Sequence, residues 1–149
     1  MRTLSIDLGT RRIGLAMSDA GGRFATPLDV LQVTATAQAI DPILQLIKKE
    51  DVERIVVGLP LNMDDSLGGQ AISAIRWGNE LATRSGKPVV FIDERLSSFD
   101  AEQGLNDRKR GGEKMTRKQK KERLDAVAAA SFLQEFLDGK LAAIDVSNC

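Results

Sequence analysis

The sequence predicts an α/β fold: a mixed five-stranded sheet, built as a three-strand antiparallel meander followed by strand–helix alternation, with helices on both faces. Two observations carry this. Up to Val33 the chain alternates apolar and polar residues between glycine-bearing turns; beyond it, short continuous apolar runs alternate with segments at helical spacing.

The first strand is TLSIDL, where Leu4, Ile6 and Leu8 alternate with Thr3, Ser5 and Asp7, a pattern that predicts one apolar and one wetter face. Gly9-Thr10 turns the chain and RIGLAMSD returns beside it; Gly21-Gly22 turns it again into ATPLDVLQV. In AQAIDPILQLIKKE, Ile40, Ile43, Leu44 and Ile47 have helical spacing, with Pro42 in the first turn. ERIVVGLP is a short apolar run of the kind buried on both faces, and PVVFIDE is another. Between them SLGGQAISAIRWGNELATRSG is helical and closes at Gly86. SSFDAEQGLND predicts a short helix, with Ser97 and Asp100 at capping-box spacing. RKRGGEKMTRKQKKER has no apolar period and two adjacent glycines, so residues 108–116 are expected to be mobile. LDAVAAASFLQEFLDG is a strong helix closed by Gly139, and residues 140–149 form a short tail. No internal repeat or boundary interrupts residues 1–149, read as one domain.

Composition narrows the chemistry. Histidine is absent, which excludes Ser-His-Asp and Cys-His catalysis and imidazole metal sites. Any chemistry must use carboxylates, lysines or a metal. The one cysteine, Cys149, allows no internal disulfide, which fits a reducing compartment. Neither a signal peptide nor a run of roughly 20 apolar residues is present, so a cytoplasmic protein without membrane association is expected.

Three acids stand out by position. Asp7 ends the first strand, and Asp93-Glu94 ends the last. If those strands are parallel, both emerge at the sheet edge where open α/β sheets bind ligands. Neighbours on a strand point to opposite faces, so one of Asp93 and Glu94 shares a site with Asp7. Asp125 lies on the helical stripe of Ala129, Phe132 and Phe136, and the small residues of AVAAA let that helix approach the sheet. Each acid has a plainer use: Asp7 as a turn tie, Asp93 or Glu94 as a cap near Ser97, Asp125 as the partner of a Lys or Arg. Their coincidence at one edge favours a shared site. Converging carboxylates need a cation among them, and an all-oxygen site suits Mg²⁺ or Mn²⁺, which support phosphodiester chemistry without histidine.

The 21 basic and 21 acidic residues cancel overall, but not locally. Arg108 to Arg123 holds nine basic residues, Lys114, Arg117, Lys118 and Lys121 among them, against two acids, a local charge of +7. Such runs are often solvated helix faces. Beside a carboxylate cluster, this one suits a nucleic-acid substrate bound through its backbone. With one Trp and no Tyr, base stacking is a minor contributor.

IDLGTRRIGLAMSD, VVGLPLNMDDSLG, FIDERLSSFDAE and KKERLDAVAAASFLQEFL, in this order, resemble the motifs of the YqgF/RuvX family over nearly the whole chain. The resemblance implies an RNase H-like fold and a divalent-metal-dependent nuclease site, with Asp7, Glu94 and Asp125 as catalytic acids and metal ligands. Within it Arg12 and Arg95 are candidates for scissile-phosphate contacts, and Asn62 sits on a loop at the active edge. Arg11 replaces a frequent lysine, and Asp65 adds an acid where MDGS is usual; neither touches the proposed ligands.

The function the resemblance implies is processing of the 5′ end of the 16S ribosomal RNA precursor. Holliday-junction resolution on branched DNA is the same chemistry on another substrate, and a non-catalytic nucleic-acid-binding module is the third reading. Structured RNA is the expected partner and the protein is a monomer or homodimer; resolvases act as dimers. DLGT also resembles the phosphate loop of sugar kinases and actin-like ATPases, but those need two such domains, for which 149 residues leave no room.

Overall fold

The computed structural model describes residues 1–61, 68–96 and 117–145, with side chains excepted at 96 and 117–123. Strands β1 (Thr3–Leu8), β2 (Arg12–Ser18) and β3 (Ala25–Gln32) form the expected antiparallel meander. A 3-10 turn, Thr36–Ala39, leads into α1 (Ile40–Lys49), and β4 (Arg54–Leu59) then adds to the far side of β1. Helix α2 (Gly69–Ser85) connects β4 to β5 (Val89–Asp93), and α3 (Arg117–Leu137) packs last. The sheet order is β3-β2-β1-β4-β5, with β1, β4 and β5 parallel.

Helices cover both faces. Leu4, Ile6, Ile13, Leu15, Ile55 and Val57 pack on one side against α1 and α2. On the other, Ala16, Val56 and Ile92 meet Ala129, Phe132 and Leu133 of α3. Pro42 lies in the first turn of α1, and Gly86 and Gly139 follow α2 and α3 with φ of 70° and 79°. Among the described residues no helix is long and apolar enough to cross a membrane.

Four expectations change. The polar face of β1 is not wet: Thr3 and Ser5 are fully buried beneath α3. Ser5 Oγ donates to the Ala129 carbonyl at 2.8 Å, and Arg54 donates to Thr3 Oγ1, so burial leaves both hydroxyls satisfied. β5 is an edge strand rather than a fully covered one, and Val89 and Val90 are only half-buried. The final helix begins at Arg117, seven residues before its apolar period, because Arg, Lys, Gln and Glu are good helix formers that extend an established helix. The tail also has a role. Leu141 is buried, and the Ile144 amide donates to the Phe91 carbonyl at 2.7 Å, covering the β5 edge. The expected short helix after Ser97, the segment 108–116 and Cys149 lie outside the described residues.

Helix α3 approaches the sheet through Gly14. A Cβ there would overlap the Asp125 carbonyl, so only glycine allows this distance. Gly14→Ala should therefore cost at least about 2 kcal/mol in urea unfolding. Gly69→Ala, where a Cβ meets nothing within 4 Å, should change stability by less than about 0.5 kcal/mol.

The β2–β3 turn shows a carboxylate tying off a chain reversal. Asp19 Oδ1 accepts the amides of Arg23 and Phe24 at 2.8 and 3.0 Å, and these bonds hold its pKa below the ordinary 3.8. Because the folded value is the lower one, this stabilisation is present above the unfolded pKa and is lost as pH falls through the folded one. The Arg23 and Phe24 amide resonances should titrate together with a midpoint below 3.8, and Asp19→Asn should abolish that titration.

Candidate active site

Strand alternation places one row of the sheet against α3. In β2 the row holds Gly14, which pairs with Asp7 of β1. Ile6 pairs with Val57, so Gly58 of β4 stands level with Asp7 on its other side. Gly58 pairs with Ile92, and Glu94 follows two residues on, on the same face. Asp7 is thus flanked across the sheet by two residues without side chains. The Asp125 backbone fills one space. Glu94 fills the other: its Oε2 lies 3.2 Å from where a Gly58 Cβ would stand, beside the Phe132 ring.

Asp7 and Glu94 line one cavity of about 620 Å³ at the carboxyl ends of β1, β4 and β5. Its floor is the Gly9-Thr10 turn, held by the Gly9 amide on the Arg12 carbonyl at 3.0 Å. The opposite wall is the start of α2, with Gln70 and Ser73, and the 3-10 turn at Thr36. Trp77 fixes that turn by donating Nε1–H to the Thr36 carbonyl at 2.9 Å. Its ring is buried in the core, which removes the chain's one indole from any stacking role.

Alternation also separates Asp93 from Glu94. Asp93 is buried, and Arg95 donates Nε–H and its own amide to Oδ1, each at 3.0 Å, and Nη2–H to Oδ2 at 2.7 Å. The Arg95 guanidinium holds the Asp93 carboxyl below its ordinary pKa, against the opposing effect of burial. This pairing closes the turn Glu94–Leu96 and fixes the chain direction at Glu94. Arg95, a candidate phosphate contact by sequence, is thus anchored on Asp93.

Asp125 belongs to the same row through its backbone, while its carboxylate lies on Arg12, with Nε to Oδ2 at 2.8 Å. Among the described residues no three acidic side chains stand close enough to hold a metal together. The structure brings Asp7 and Glu94 into one cavity and seats the Asp125 backbone on Gly14, the strand partner of Asp7, with the Asp125 carboxylate on Arg12. The donor chemistry of the cavity, carboxylate with hydroxyl and amide oxygens and no imidazole or thiolate, fits a hard divalent cation.

Asn62 and Lys114 fall outside the described residues. Arg117, Lys118 and Lys121 occupy the first turns of α3, about one to two turns before Asp125. Sequence reasoning missed Gly14, Gly58, and the α2 wall with Gln70 and Ser73. The signal for the glycines was present: each interrupts a strand, in RIGLAMS and RIVVGL, where a glycine marks close approach of another chain segment.

Known proteins share this fold. Solved structures of similar fold include RuvC of Thermus thermophilus, with TM-score 0.60 and 18% identity over 97% of this chain and 100% of that one. The Fowlpox virus resolvase bound to Holliday junction DNA gives TM-score 0.51 and 11% identity over 92% and 99%. At these identities they show the fold, which is RNase H-like. Relatives at higher identity carry the name "Putative pre-16S rRNA nuclease". That of Anaeromyxobacter sp. (strain Fw109-5) is 43% identical over 140 residues, 94% of this chain and 98% of its own length. That of Acidiphilium cryptum (strain JF-5) is 38% identical over 137 residues, 92% and 84%. The family RuvX, described as Holliday junction resolvase, matches residues 1–139, and this chain belongs to it.

Proposed function

We propose that the protein is a divalent-metal-dependent endonuclease, a hydrolase of phosphodiester bonds that processes the 5′ end of the 16S ribosomal RNA precursor in the cytoplasm. The observation that carries this is the placement of Asp7 and Glu94 on the walls of one cavity at the carboxyl edge of the sheet, with the Asp125 backbone seated on Gly14, the strand partner of Asp7. Mg²⁺ or Mn²⁺ bound there supplies activation of water and charge stabilisation at the phosphate. Asp7 and Glu94 provide the carboxylate oxygens for it, with Asp125 as the third ligand.

The remaining residues serve the substrate. Arg12, whose guanidinium lies on Asp125, suits a phosphate oxygen, while Arg95 supports the turn that aims Glu94. Asn62, Lys114, Arg117, Lys118 and Lys121 extend the contact along the nucleic-acid backbone. With no net charge on the chain, attraction of a polyanion depends on this local basic run. The ribosomal substrate follows the names of the relatives. The family's description favours a second reading, cleavage of four-way DNA junctions by the same acids, for which a homodimer is required.

One assay separates these readings. Purified protein is given precursor 16S RNA and a four-way DNA junction with Mg²⁺ or Mn²⁺. Cleavage of the RNA is expected, abolished by chelation and reduced at least about 100-fold in Asp7→Asn and in Glu94→Gln, with circular dichroism unchanged. Junction cleavage alone supports the second reading. A rate for Asp7→Asn equal to wild type on either substrate overturns the site, and metal-independent binding without cleavage supports a non-catalytic module.

A further inference from the structure

Arg12 and Asp125 are fixed in backbone and adjustable in side chain. The Arg12 carbonyl accepts the Gly9 amide, and the residue pairs with Gln32 in the β2–β3 ladder. The Asp125 backbone is seated on Gly14, where no atom can be added. Neither main chain can shift without breaking the sheet or lifting α3. Their side chains differ. The ion pair is a single Nε to Oδ2 contact at 2.8 Å, with 38% and 28% of the two side chains exposed, and pairs this exposed are weak.

A divalent cation held by Asp7 and Glu94 would act on both members at once. It attracts the Asp125 carboxylate more strongly than a monovalent, delocalised guanidinium does, and it repels the guanidinium. Arginine cannot relieve that repulsion by losing its proton. The charge must move instead. We propose that Arg12 is a positioning residue that holds the Asp125 carboxylate until a divalent cation enters, then releases it and turns its guanidinium to the substrate backbone. This rests on the reading of Asp7 and Glu94 as cation ligands. Cation loading and presentation of a phosphate contact are then one exchange, carried out beside the Gly9-Thr10 turn that floors the cavity.

The exchange is read by metal binding rather than by turnover. Mn²⁺ titrations followed by electron paramagnetic resonance compare the full-length wild type, Arg12→Gln, Asp125→Asn, the double variant and Asp7→Asn. Removing the competing guanidinium should tighten Mn²⁺ about 3- to 5-fold in Arg12→Gln. In the Asp125→Asn background the same change should have a clearly smaller effect, because only the direct repulsion of the cation remains; a merely structural ion pair would leave Mn²⁺ affinity unchanged in both backgrounds. Should Arg12→Gln fail to fold, the wild type itself decides. Its Arg12 Nε–Hε resonance, identified by its absence in Arg12→Lys, should move on Mg²⁺ addition to the position it has in Asp125→Asn. Unchanged or weaker Mn²⁺ affinity in Arg12→Gln, or an Nε–Hε resonance unmoved at saturating Mg²⁺, overturns the exchange while Asp7-dependent binding keeps the cation site. Absence of Mn²⁺ binding, or binding indifferent to Asp7→Asn, overturns both.

Discussion

The seating of α3 on β2 at Gly14 is the constraint from which the site follows. At that point the Asp125 carbonyl occupies the space of a missing side chain, and because Gly14 pairs with Asp7, the helix is placed level with the first acid. A second contact fixes its direction. Ser5, two residues before Asp7, donates to the carbonyl of Ala129, four residues after Asp125. Four residues of helix rise about 6 Å, and two residues of strand advance about 6.7 Å. The two spacings match closely, so helix and strand can be held at both points without strain. The helix therefore runs against β1, its polar start towards the carboxyl edge and its aromatic end towards Thr3.

Charge at that edge is handled by pairing at two distances. Asp93 is matched locally, by an arginine two residues later that makes three hydrogen bonds to it. Its burial is tolerable because all three donors stay in place. Asp125 is matched from 113 residues away, by an arginine that reaches it through one nitrogen. The first pair is rigid and serves the backbone by setting where Glu94 emerges. The second is more exposed and joins two elements. Equal in formal charge, the two pairs differ in what their loss would disturb: a turn in one case, the electrostatics of the acid row in the other.

The parts of this arrangement legible in the sequence were those set by local period. Alternation in TLSIDL, the apolar run ERIVVGLP and the glycines after the helices marked strands and helix ends, and the end-of-strand positions of Asp7 and Asp93-Glu94 marked the edge. Alternation also meant that only one of Asp93 and Glu94 could face the site, but which one depends on α3, which has no local signature at that position. The same holds for Thr3 and Ser5. Their polarity suggested solvent, whereas a helix 124 residues downstream of Ser5 buries them and accepts the hydroxyl proton. The pairing of Ile144 with Phe91 across the edge of β5 was equally out of reach. Nothing in KLAAIDV distinguishes a tail that returns to the sheet from one that does not.

The described end of the basic run, from Arg117, and the third acid share one helix, and that removes a degree of freedom. In a protein of zero net charge the overall field gives a polyanion no steering, so the local placement of basic residues decides where one is attracted. Were the basic residues on a separate loop, their distance from the acid row could vary with each loop conformation. Here the backbone positions of Arg117, Lys118 and Lys121 stand four to eight residues before Asp125 on a continuous helix, about 6 to 12 Å along its axis. The helix is pinned at Gly14 and Ser5, so those positions inherit its register. Approach of the helix to the sheet, allowed by one missing Cβ, therefore fixes the acid row and the backbone positions of these basic residues together.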